Sequence, residues 1–175
     1  MHAPKTRHRI ALMAAAVLAI AASAPAAAPA RASTSAGTLS ADLDGRAIAL
    51  EQVGSVHCHD LDYPRIHCFT TEGDLQSAVA AAASGPLAAT ASTAYVEIFE
   101  NTSYGGGAMV VSQDYSMLAT IGWNDRISSF IAVNAVSGTF HTDWLYGGST
   151  WSFCCNQAAS SIGAFNDTFS SVKRS

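Results

Sequence analysis

Basic charge is scarce in this chain of 175 residues. Only Arg46, Arg65, Arg126, Lys173 and Arg174 follow residue 32, while all thirteen acids do, leaving about −8 beyond that point. A chain so short of lysine and arginine is a poor partner for a polyanion, which excludes nucleic-acid binding as its business. Histidine is as thin in the second half, where His141 stands alone. No Gly-x-Ser-x-Gly elbow and no His-Glu-x-x-His spacing occurs, and Asp143 near His141 amid many serines is a common accident. Enzymatic activity is therefore the poorest reading. Long apolar runs are missing too. The one candidate, Ile10 to Ile20, is too short to span a bilayer comfortably.

What surrounds that run explains it. Lys5, Arg7 and Arg9 precede it, an Ala/Pro stretch follows, and Ala30-Arg31-Ala32 satisfies a small-x-small rule. This is the pattern of a secretory signal peptide over 1–32, cut after Ala32. A secreted, extracellular, soluble product of 143 residues is expected, enough for one domain with an extension. Four cysteines in an exported chain imply disulfides.

Residues 33–93 read as an N-terminal extension and linker. Asp42 to Val56 suggests a strand pair, 73–83 a short Ala-rich helix broken at Ser84-Gly85-Pro86, and 88–93 a linker. The run His57-Cys58-His59-Asp60-Leu61-Asp62-Tyr63-Pro64-Arg65-Ile66-His67-Cys68 offers donors for zinc. A Cys58–Cys68 disulfide closing a hairpin around Tyr63-Pro64 is the better reading, because oxidised sulfur is not a thiolate ligand. Cys154 and Cys155 fall on an expected strand, so their side chains should diverge. A bond between them would distort the peptide, and one of them pairing with the extension is the open alternative.

From Tyr95 onward the composition turns to β-formers, aromatics and glycine. Here the chain repeats itself. Tyr104-Gly105-Gly106 returns as Tyr146-Gly147-Gly148, and Asn124-Asp125-x-x-Ser128-Ser129 as Asn166-Asp167-x-x-Ser170-Ser171, both at an offset of 42. The same offset pairs Ile98 with Phe140, Met109 with Trp151, Val111 with Phe153, Trp123 with Phe165 and Ile127 with Phe169, which marks these as core positions. Val96 and Ile98 alternate with Glu97 as a half-buried strand requires. Repeats at 95–133 and 137–175, each of short strands and Gly-rich turns, predict an all-β sandwich of two four-stranded Greek keys spanning 94–175.

The two Asn-Asp-x-x-Ser-Ser stretches supply carboxylates, hydroxyls and carbonyls, hard oxygen donors that suit Ca²⁺ over zinc or copper. One such loop is too poor in ligands to hold calcium, whereas two could share donors. The doubled motif resembles the calcium motif of microbial βγ-crystallins, and Phe99-Glu100-Asn101-Thr102-Ser103-Tyr104-Gly105-Gly106 is similar to that family's hairpin. The resemblance covers 94–175 and implies two sites that exchange ligands. In the first, the Glu100 and Arg126 carbonyls and the Ser128 hydroxyl would meet the Asp167 carboxylate. In the second, the Thr142 and Thr168 carbonyls and the Ser170 hydroxyl would meet the Asp125 carboxylate. Ser129 and Ser171 would brace the hairpins. The second repeat departs from the pattern at His141 and Thr142, where the family has an aromatic and an acid, implying a looser hairpin. Two carboxylates for two ions imply weak to middling affinity.

The resemblance makes the expected product a monomeric calcium-binding structural or stress-related protein. The alternative is a secreted metalloprotease inhibitor of similar fold whose partner is an extracellular protease; a secreted toxin comes third. Asn101-Thr102-Ser103 and Asn166-Asp167-Thr168 match the glycosylation sequon, but a glycan on the second would obstruct a metal loop, and the leader looks bacterial.

Overall fold

The computed structural model describes residues 37–85 and 94–175. The expected leader (1–32) and linker (88–93) lie outside the described residues.

The extension begins with a hairpin of β1 (Ser40–Leu43) and β2 (Arg46–Ile48). Its turn, Asp44-Gly45, has φ of 49° and 80°, the left-handed pair that a two-residue hairpin demands. The expected strand pair stops there, because Leu50–Ser55 winds into a 3-10 turn. Val53 from that turn is wholly buried, and a Cβ on Gly54 would run into the Gly122 carbonyl. Close backbone approach thus replaces a strand. Next come β3 (His57–Asp62) and β4 (Arg65–Phe69), joined through a cis Tyr63–Pro64 bond and bridged by Cys58–Cys68 as expected. Helix α1 (Glu72–Ser84) extends one residue past each end of the predicted span. Thr71 caps it by accepting from the Asp74 amide at 3.2 Å, and Glu72 and Asp74 favour its first turn.

The first repeat contributes β5 (Tyr95–Asn101), β6 (Gly105–Val111) and β7 (Ser129–Val133). The second contributes β8 (Gly138–His141), β9 (Thr150–Phe153), β10 (Ala158–Ala159) and β11 (Ser171–Arg174). The third strand of each repeat crosses to the other's sheet. β10 pairs with β7, and Tyr115 forms a bridge with Val172 on β11. Two Greek keys swapped in this way make the expected sandwich, with Phe130 of one sheet against Phe140 and Phe153 of the other at 5.3 and 5.8 Å between ring centres. Of the ten residues matched at offset 42, eight are fully buried, and Trp151 and Phe165 pack edge-on against each other at the margin.

The extension does not stand apart from this sandwich. β3 adds to the free side of β6 in parallel, His57 opposite Ala108 and His59 opposite Val110, so one sheet runs β10-β7-β5-β6-β3-β4-β1-β2. The disulfide is buried in the same core as Trp123 and Ile98. Asp60, fully buried, fastens the junction: it accepts from the Ser112 amide at 2.6 Å and the Tyr115 hydroxyl at 3.0 Å. Burial pushes its carboxyl pKa up, and those bonds pull the other way.

One strand departs from expectation. Glu97 is 5 % exposed, not on a wet face, because α1 lays Leu75 and Val79 over Phe99, Ala108 and Val110 on that side of the sheet. Its carboxylate accepts from Gln76 Nε2 at 2.8 Å. Cys154 and Cys155 also differ: β9 ends at Phe153, and both lie in the exposed turn that follows. With Cys58 bonded to Cys68, pairing with the extension is excluded.

Candidate metal centre

Each Asn-Asp-x-x-Ser-Ser stretch reaches across to the other repeat through its backbone. The Asp125 amide donates to the Phe169 carbonyl at 3.0 Å and the Asp167 amide to the Ile127 carbonyl at 3.1 Å. Both aspartates sit at left-handed φ, 53° and 54°, a conformation that short polar side chains tolerate better than most. Held this way, each carboxylate meets the other repeat's serine. Ser128 Oγ donates to Asp167 Oδ1 at 3.0 Å, and Ser170 Oγ to Asp125 Oδ1 at 3.4 Å. The neighbouring asparagines steady the carboxylates, Asn124 on Asp125 and Asn166 on Asp167, each at 2.6 Å.

The hairpins above these loops are equally matched. Ser103, Tyr104 and Gly106 have φ of 58°, 63° and 76°; Leu145, Tyr146 and Gly148 have 55°, 64° and 76°. At Gly106 a side chain would also strike Glu100 and Asn101, so glycine is required twice over. Ser129 Oγ donates to the Asn101 carbonyl and accepts from the Tyr104 amide, and Ser171 does the same with Asp143 and Tyr146. Both serines brace hairpins, as expected. The departures at 141 and 142 preserve the geometry. His141 packs edge-on to Tyr146 at 5.8 Å where Phe99 packs on Tyr104 at 5.5 Å. Thr142 Oγ1 accepts from the Ser149 amide where Glu100 Oε2 accepts from Gly107, each seven residues on. The second hairpin keeps the same staple with a hydroxyl in place of a carboxylate.

Around the first site, Glu100, Asn101, Asp125, Arg126 and Asp167 line an open concavity of about 310 Å³. Around the second, Asn124, Asp125, Thr142, Asp143, Trp144 and Ser170 line one of about 500 Å³. Ser128 and Thr168 are not among these lining residues; Ser128 reaches the first site by its bond to Asp167, and the Thr168 hydroxyl donates to the Phe165 carbonyl. Among the described residues no three His, Cys, Asp or Glu side chains gather into a metal cage. Whatever ion these loops took would lean on hydroxyls, carbonyls and water, a donor set that fits calcium and not a soft metal.

The two sites differ in charge. The Arg126 guanidinium lies in the first, ion-paired with Glu100 and reaching Ser55 of the extension at 3.4 Å. The second holds Asp125 and Asp143 with no cation among its lining residues, and Trp144 Nε1 donates to Asn124 Oδ1 at 3.0 Å. Trp144 was not singled out in the sequence, although the offset of 42 that aligns it with Thr102 marks it as an oddity.

No protein-family model matches the chain, and no curated protein matches it. Solved structures do. A βγ-crystallin from Ciona intestinalis is 25 % identical over 46 % of this chain and 99 % of its own, with a TM-score of 0.43. An archaeal βγ-crystallin is 26 % identical over 47 % and 98 %, with a TM-score of 0.42. A βγ-crystallin domain from Flavobacterium johnsoniae is 23 % identical over 46 % and 92 %, with a TM-score of 0.41. The fold is similar to that of βγ-crystallin domains. Each likeness takes in about half of this chain and nearly all of the matched chain. No described helix is long and apolar enough to cross a membrane.

Proposed function

We propose that this chain is an extracellular, non-catalytic βγ-crystallin-type protein whose two repeats bind two calcium ions through shared ligands. The reading rests on the reciprocal pairs Ser128–Asp167 and Ser170–Asp125, in which each carboxylate is delivered to the hydroxyl of the opposite repeat. Separate repeats would each offer an incomplete set, so the metal would bind the assembled sandwich and stabilise it. An ion present at a hundredfold above its dissociation constant adds about 2.7 kcal/mol per site by mass action. The residues would serve as the resemblance implies: Glu100, Arg126 and Thr142 with Thr168 by their carbonyls, the serines by hydroxyl, the aspartates by carboxylate.

Calcium titration by calorimetry, with thermal unfolding in EDTA and in millimolar calcium, tests this. Two bound ions and a raised midpoint are expected, both lost in Asp125→Ala combined with Asp167→Ala. Absence of heat and of any shift in the parent protein would remove the proposal.

A second reading draws on one observation. Trp144 and Leu145, 53 % and 73 % exposed, form the tip of the second hairpin where the first repeat has Thr102 and Ser103. An exposed apolar tip on a braced hairpin suits a protease inhibitor. Stoichiometric inhibition of a secreted metalloprotease, lost in Leu145→Asp, would establish that role.

A further inference from the structure

Outside the calcium loops, the turn after β9 carries Cys154 and Cys155, adjacent in sequence and both exposed. The turn is firmly tied. The Gln157 amide donates to the Cys154 carbonyl at 2.9 Å, the Cys155 amide to the Val136 carbonyl at 3.1 Å, and the Ala135 amide to Asn156 Oδ1 at 2.9 Å. These bonds pin it against the connection between the repeats. The two thiols are carried side by side in this turn, with Cys155 at a left-handed φ of 61°, and a hydrogen bond with Cys154 is the first cause that holds the Cys155 thiol above its ordinary pKa.

A Cys58–Cys68 bond is of the kind that an oxidising environment sustains. Two more thiols, exposed and adjacent in the chain, would meet the same oxidants there. We infer that Cys154 and Cys155 form a redox-responsive vicinal dithiol that exchanges with small disulfides and closes on itself.

The step balances as ordinary thiol–disulfide exchange. One cysteine thiolate attacks a sulfur of a small-molecule disulfide and expels one thiol, leaving a mixed disulfide. The neighbouring thiolate then attacks the protein-bound sulfur and expels the second thiol. Two electrons and two protons pass from the protein to the oxidant. The ring so formed joins residues whose Cα atoms lie about 3.8 Å apart across one trans peptide, below the roughly 4.4–6.8 Å that disulfides usually span. Such a ring is strained and easily reopened, which makes it a responsive centre and not a structural bridge.

The test exposes the folded full chain to oxidised glutathione, then to a graded series of reduced glutathione. Thiols are counted with a maleimide and intact mass is recorded. Loss of both thiols with loss of two hydrogens and no adduct is expected, reopening under mild reduction before Cys58–Cys68 yields. Cys154→Ser and Cys155→Ser, both at exposed positions, should each stop at a single glutathione adduct. Covalent dimers, two stable adducts on the parent chain, or thiols unchanged by the oxidant would each overturn the inference.

Discussion

Glutamate 97 carries a cost that one substitution should remove. It lies on β5 under α1, 5 % exposed, with Gln76 as its hydrogen-bond donor. Burial, and then the like charge of Glu72, raise its pKa from 4.5 to about 7, against the pull of the Gln76 bond. In the unfolded chain the proton leaves near the ordinary value. Stability from this group is therefore complete below pH 4.5 and lost as the pH rises through about 7. The gap of some 2.5 units at 1.36 kcal/mol each amounts to about 3 kcal/mol. Glu97→Gln keeps the shape and an acceptor for Gln76 while abolishing the charge. At pH 8 the variant should gain up to about 3 kcal/mol, which for a domain of this size raises the melting midpoint by roughly 10 °C. At pH 4.5 the two proteins should melt together. Urea unfolding at both pH values, with the slope checked for constancy, is the assay. An equal gain at both, or destabilisation at pH 8, would refute the argument that a buried charge is responsible.

Three further outcomes are expected. His59, its ring tilted against those of Phe69 and His67, has its pKa lowered to about 4, chiefly by burial and then by His67, so the unfolded state takes up its proton first. The contribution of this group should fall by about 3 kcal/mol between pH 6.5 and 4, opposing the gain from Glu97 over much of the same range, so His59→Phe should become more stable relative to the parent by that amount as the pH is lowered in denaturant titrations. Asp60→Ala leaves the Ser112 amide and the Tyr115 hydroxyl without their acceptor and should cost about 3 kcal/mol or more, read by the same titrations, with Tyr115→Phe costing less. Arg126→Ala removes the one cation lining the first site; relief on the order of 1 kcal/mol should tighten the weaker calcium step roughly fivefold in calorimetry and leave the other step alone.

How far such features could be foreseen depended on whether they are local or repeated. The offset of 42 exposed the core, because duplication preserves spacing, and Trp123, Ile127, Phe140 and Phe169 are all buried as it implied. The bracing role of Ser129 and Ser171 was legible for the same reason. Helix α1 and the Cys58–Cys68 bridge were legible because their determinants lie within a dozen residues. Glu97 misled because alternation describes a strand with one wet face, and nothing in 95–101 announces that a helix some twenty residues earlier will cover the other. The parallel union of β3 with β6 depends on Asp60 meeting Ser112 and Tyr115, partners more than fifty positions apart. Arg126 was read for its carbonyl, whereas the position of its guanidinium depends on Glu100 and Ser55.

The way β3 lies along β6 bears on how this molecule keeps its own company. A seven-residue strand ending a sheet would present an open ladder of amide and carbonyl groups, which is a template for a neighbouring molecule. Here β3 occupies the stretch from Ala108 to Val110, and the outermost strands of the long sheet are β2, of three residues, and β10, of two. Either rim offers an incoming strand only a rung or two. The extension thus covers part of an edge that would otherwise lie open, and a chain stripped of it is expected to aggregate more readily than the parent, read by light scattering on heating.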